Sequence, residues 1–246
     1  MSKLRIPSFL IAFVILNPLY AEEKATEPEK PKAVRFDPVE RDIEGWKVHV
    51  EPALLEGEYA EEGAAALKML ANHLQRIAIL MPTEERLAEM KKLEIWIERD
   101  HPVMKAMQYH PGIFWLRGNG HDPRLLKKVH IPVARALLSR DQMLKHPAVI
   151  LHELAHAYHD QILSFDHDGV IEAFKNAEKS GIYEKVLLYT GKKVRHYGLS
   201  NHKEYFAEGT EAYFYRNDFY PFVRAELAEH DPAFHDLLKA IWEPGD

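Results

Sequence analysis

His152-Glu153-Leu154-Ala155-His156 lies inside a segment, Pro147 to Leu163, that reads helical throughout. At 3.6 residues per turn, positions four apart sit within about 40° of each other around the axis and rise about 6 Å, so both imidazoles face one point. A metal ion about 2 Å from each ring nitrogen fits there, with Glu153 beside it as a general base rather than a ligand. Leu151, Leu154, Tyr158 and Ile162 recur at helical spacing and form an apolar face. The expected helix is therefore buried, with one polar corner turned to a cleft.

The pentapeptide alone is a weak signal in this chain. With 15 histidines in 246 residues, an accidental match is expected in about one chain in ten of this composition. The rest of the sequence narrows the chemistry. There is no cysteine, which excludes disulfides, thiolate nucleophiles, Cys-ligated zinc and Fe–S clusters, and leaves His, Asp and Glu to hold any metal. A net charge of −6 without a long Lys/Arg run argues against a nucleic-acid partner, whose phosphates demand a basic face. With 46% apolar and 28% charged residues, the composition is that of an ordinary globular protein.

Lys3 and Arg5 precede an apolar run from Ile6 to Leu16, and Ala21 offers a cleavage point, so residues 1–21 read as a signal peptide and the chain as secreted or periplasmic. The run is shorter than the roughly 20 residues of a membrane span. An uncleaved anchor is the alternative; after cleavage no stable membrane association is expected. Residues 22–35, rich in Glu, Lys and Pro, read as a flexible linker. The folded domain is then 36–246.

Within it, Trp46 to Val50 and Leu93 to Glu98 alternate like strands, and Leu67, Leu70, Leu74 and Ile77 recur at helical spacing between them. Pro82-Thr83-Glu84-Glu85 resembles a helix start with acids in its first turn. Val129 to Val133 reads extended, and Pro132 predicts an edge strand or bulge, a place where a peptide substrate could add as a further strand. From Pro147 onward nearly everything reads helical: Pro147 to Leu163, Val170 to Ser180 with Asp168 as its cap, His202 to Arg216, and Pro232 to Trp242. The fold class is α+β, with an N-terminal lobe of a small sheet and helices (about 36–145) and a helical C-terminal lobe (about 146–246).

A third ligand must come from beyond the pentapeptide, because Ile162 occupies the position where a metzincin has its third histidine. Glu172 is one option, although its neighbours read as an ordinary amphipathic helix. The other is Glu204, in His202-Lys203-Glu204-Tyr205-Phe206-Ala207-Glu208, a helix that Asn201 can cap. Glu204 and Glu208 lie one turn apart and repel unless a cation sits beside them. That cation places Glu204 among its ligands and leaves Glu208 to hold the far nitrogen of a ligating histidine. A solvated acidic face continued by Glu211 is the alternative. Gly209, within this helix, points to close packing.

The pentapeptide, followed by Tyr197 and seven residues later by Glu204 in Glu-Tyr-Phe-Ala-Glu, resembles the anthrax lethal factor-like zinc metallopeptidases, a group that includes the Pro-Pro endopeptidases. The likeness spans His152 to Phe214 and implies a zincin-like fold with the active-site helix between the two lobes. It implies His152, His156 and Glu204 as Zn2+ ligands, Glu153 as the base that activates the zinc-bound water, and Tyr197 as the residue that stabilises the oxyanion. The expected activity is hydrolysis of a peptide bond in a peptide or protein substrate. Two other readings stand beside it: a secreted, non-catalytic zinc-containing binding protein, and a zinc amidase acting on cell-wall peptides. Asp160, four residues after His156, reads as a surface acid, with a role behind His156 as the alternative. The aromatic stretch Tyr213 to Phe222 reads as core. His101, His110, His121 and His130 read as satisfied or surface histidines.

Overall fold

A computed structural model describes residues 33–245. The signal-peptide reading, and most of the linker reading, lie outside the described residues.

β1 (Val39–Ile43) and β2 (Trp46–Val50) form a hairpin. Its two-residue turn, Glu44-Gly45, has φ of +56° and +87°, the left-handed geometry whose twist matches an antiparallel pair. α1 (Ala60–Leu80) and α2 (Glu84–Met90) then carry the chain over to β3 (Ile95–Ile97), which lies parallel to β2. Leu70, Leu74 and Ile77 of α1 are buried, as their spacing predicts, and the Thr83 side chain caps α2 by accepting from the Arg86 N–H. β4 (Gln108–Tyr109), α3 (Ile113–Gly118) and β5 (Val129–Ile131) complete this half of the chain, apart from short helical turns and α4 (Arg140–Lys145).

The sheet order is β1-β2-β3-β5-β4. β5 is not an edge strand: it pairs with β3 on one side and β4 on the other, and all three of its residues are buried. Pro132 falls one residue past the strand, so no ladder hydrogen bond is lost, and its carbonyl accepts from the His101 N–H at 2.7 Å. β4 is the edge on that side.

The C-terminal half contains α5 (Val149–Tyr158), α6 (Asp168–Ser180), α7 (His202–Phe214), α8 (Arg224–His230) and α9 (Pro232–Trp242). It is not all helical. A hairpin of β6 (Val186–Leu187) and β7 (Lys193–Val194) interrupts the run, turning at Gly191 with φ of +86°. The cap of α6 also differs from the reading: the His167 ring accepts from the Val170 N–H, and Asp168 is the first helical residue. One apolar core runs from Trp46 and Val48 through α1 and α5 to Phe234 and Trp242, so both halves of the chain bury their faces together.

His101, His110, His121 and His130 are all buried and packed side by side. His110 Nε2 lies 3.1 Å from His130 Nδ1, and the His101 and His130 ring centroids are 5.7 Å apart. None is a surface residue. Among the described residues no helix is long and apolar enough to cross a membrane.

Candidate metal centre

Every residue of α5 is buried. A largely apolar sequence makes it a core helix; its Tyr158 hydroxyl donates to Glu89 on α2, and His152 and His156 face Glu204 of α7. After Tyr158 the helix widens into a π-helical turn, His159–Leu163, and ends at Ser164 with φ of +79°. Such bulges recur next to functional sites.

α7 supplies the facing side. The Asn201 side chain accepts from the N–H groups of Lys203 and Glu204 at 2.9 and 3.1 Å, which sets the first turn and the direction of Glu204. Tyr205 to Tyr213 are all buried, so Glu204, Glu208 and Glu211, at i, i+4 and i+7, form one polar stripe inside the protein rather than a solvated face.

His152 Nε2, His156 Nε2 and Glu204 Oε2 form a nearly equilateral triangle. The separations are 3.1 Å between the two nitrogens, 3.3 Å from His152 to Glu204 and 3.2 Å from His156 to Glu204. Donors about 2.0–2.1 Å from a common tetrahedral centre lie roughly 3.3–3.4 Å apart. The three residues therefore fit a divalent metal ion, and they form one of two groups among the described residues with that capacity.

The charge balance agrees. Burial alone raises the pKa of Glu204, but its bonds to His152 and His156 more than offset that and hold the carboxylate well below its usual range. His152 responds in the opposite sense: burial lowers its pKa, yet Glu204 and Glu211 raise it well above the ordinary histidine value. The carboxylates thus favour positive charge beside the two imidazoles.

Glu211, not Glu208, orients His152. Its Oε1 accepts from His152 Nδ1 at 2.6 Å, whereas Glu208 Oε1 is 3.7 Å from the same nitrogen. Donation from Nδ1 to Glu211 turns a lone pair on Nε2 toward the site. Glu211 also accepts from His146 Nε2 at 2.9 Å. Burial raises its pKa, but His146 and His152 prevail and hold it down at about 2. Glu208 responds the other way, its pKa pushed well above the carboxylate range by burial and by Glu211.

Glu153 and Tyr197 line one cleft with His152, a space of about 450 Å³ whose walls include Ala106, Met107, His146 and Asp218. Burial raises the Glu153 pKa, countered in part by the neighbouring histidines. Tyr197 is half-exposed on a helical turn, Tyr197–Ser200, and burial together with Glu204 raises its pKa, so its hydroxyl stays protonated at neutral pH. Glu172 is exposed on α6 and belongs to neither metal-binding group. Asp160 serves the fold: it accepts from the Tyr109 hydroxyl at 2.6 Å and from Lys127 at 2.5 Å. Of the aromatic stretch, Tyr213 is buried and Phe219 reaches the cleft wall.

The sequence reading placed Glu211 only on a solvated acidic face, as the alternative, and missed His146 and Asp218. The seven-residue step from Glu204 to Glu211 could have placed Glu211 on the stripe, since its neighbours Ala212 and Tyr213 are apolar. His146 and Asp218 sit in connections between helices, and no periodicity marks them. No family model, curated protein or solved structure matches this chain.

Proposed function

We propose that the chain is a zinc-dependent endopeptidase with a zincin-like active site. The observation that carries the reading is the triangle of His152, His156 and Glu204 donors, 3.1–3.3 Å apart, with Glu153 and Tyr197 lining a cleft that reaches His152. Imidazole and carboxylate donors in a closed, small set suit zinc. Bound there, zinc lowers the pKa of a coordinated water toward 7 and polarises a carbonyl.

The chain's own residues do the rest. Glu153 accepts the proton of the attacking water on its carboxylate and returns it to the leaving amine; burial tunes it toward that task by raising its pKa. Glu211 keeps His152 in the tautomer whose Nε2 faces the site. Tyr197 donates its hydroxyl to the developing oxyanion, a role worth about 3 kcal/mol for one donor. A peptide is held along the edge of the sheet at β4, where Ala106 and Met107 lead from the cleft into the strand.

The test is a peptide library incubated with the protein, with and without chelator, beside cell-wall fragments. Chelator-sensitive cleavage of peptides is expected. Release of products from cell-wall fragments alone would assign an amidase instead, and metal binding with no hydrolysis of either would assign a binding protein.

A further inference from the structure

We infer that the chain carries a second, weaker transition-metal site next to the first, formed by His146, Glu211 and the outer ring nitrogen of His152. The inference rests on the reading of His152, His156 and Glu204 as the first site.

One ligand atom from each of His146, His152 and Glu211 lies within 4.8 Å of the others. Glu211 Oε1 is 2.9 Å from His146 Nε2 and 2.6 Å from His152 Nδ1. Its other oxygen, Oε2, is fully buried and has no hydrogen-bond partner, and the same holds for Glu208 Oε2 one turn earlier. A buried carboxylate oxygen without a partner is costly, and a cation removes the cost. Glu208, Glu211 and Asp218 are all buried here, and among the described residues no Lys or Arg forms an ion pair with any of them. A divalent ion in the first site stands against Glu204 and Glu153 and leaves the Glu211 carboxylate with only the two imidazoles beside it.

His152 belongs to both groups through different nitrogens, Nε2 toward His156 and Glu204, Nδ1 toward Glu211 and His146. Loading the second site displaces the Nδ1 proton to solvent, and two cations on one imidazole repel, so the second ion binds more weakly. His146 lines the cleft with a partly exposed side chain and gives the ion a route from solvent. Two imidazoles with a carboxylate select zinc, copper, nickel or cobalt over calcium or magnesium.

The test titrates the metal-free full chain with Zn2+, counting bound ions by equilibrium dialysis and elemental analysis, with Co2+ absorption as a second readout. Two equivalents are expected, and His146→Ala and His146→Gln keep the tight one while weakening the second by about tenfold or more. Ions on unrelated surface histidines survive both substitutions. Saturation at one equivalent, or a second equivalent untouched by both variants, overturns the inference. Peptide hydrolysis by a chain that never holds more than one ion sinks this inference and leaves the proposed function standing. Two ions with no hydrolysis of any peptide does the reverse.

Discussion

Glu153 and Tyr197 make separable contributions. Replacing Glu153 with Gln removes the proton acceptor but none of the three ligand atoms, so zinc content should stay at the wild-type level while turnover falls by about 10²–10⁴. Tyr197→Phe removes one donor and should lower kcat by about 10²–10³ with unchanged metal content; unchanged turnover would return Tyr197 to a loop aromatic. Glu208 and Glu211 are told apart by affinity. Glu211→Ala strips the His152 Nδ1 of its acceptor, and zinc affinity should drop about 10–100-fold. Glu208→Gln keeps the shape of a side chain whose oxygen lies 3.7 Å from His152 Nδ1, too far to hold it, and should leave affinity close to wild type. Equal losses in a competition titration would mean that the stripe acts as a unit and that Glu211 has no special role.

At the scale of elements, the approach of α7 to α9 depends on Gly209. A Cβ there would overlap the Phe234 ring, and that ring is stacked on Tyr205 at 3.9 Å with no room to swing away. Gly209→Ala gains about 1 kcal/mol of helix propensity but forces a repacking that costs about 1–3 kcal/mol. A fall of a few degrees in Tm is expected in thermal denaturation, and a raised Tm would refute the close approach. Gly63 in α1 is tighter still, because its Cβ would meet the Leu54 backbone carbonyl, which has no rotamer to change. The helices were readable because their signals are local: the periodicity of α1, the Asn201 cap of α7 and the acids of α2 all lie within a turn or two. The hairpin β6–β7 and the two-residue β4 were not, since strands that short hold too few residues to show alternation.

For the whole molecule, four buried histidines with lowered pKa values weaken the fold in acid. Burial lowers His73 to about 4 and His101, His110 and His130 to about 3, against about 6.5 in the unfolded chain. Between those values the unfolded state binds more protons than the folded one. The stability these groups contribute is therefore complete above pH 6.5 and is lost as pH falls toward 3, by up to about 1.4 kcal/mol per pH unit for each. Because a domain holds only about 5–15 kcal/mol in total, a few such groups account for a substantial loss of stability as the pH falls. Tm should fall steeply from pH 6.5 to 5, and unfolding at pH 5.5 should take up several protons. A flat Tm down to pH 4.5 would show that the four rings are solvated.

Helix pitch and capping act over a few positions, so the α+β class, the main helices and the candidate ligands His152, His156 and Glu204 were legible in the chain alone. It took the packed chain to show that β5 lies inside the sheet, that four scattered histidines form one buried cluster, and that Glu211 rather than Glu208 holds His152. Each of these depends on where distant segments meet: 59 positions separate His152 from Glu211, and the orientation of α7 against α5 sets whether the residue four or seven after Glu204 faces the imidazole. That orientation comes from packing over both helices together, which no local pattern encodes.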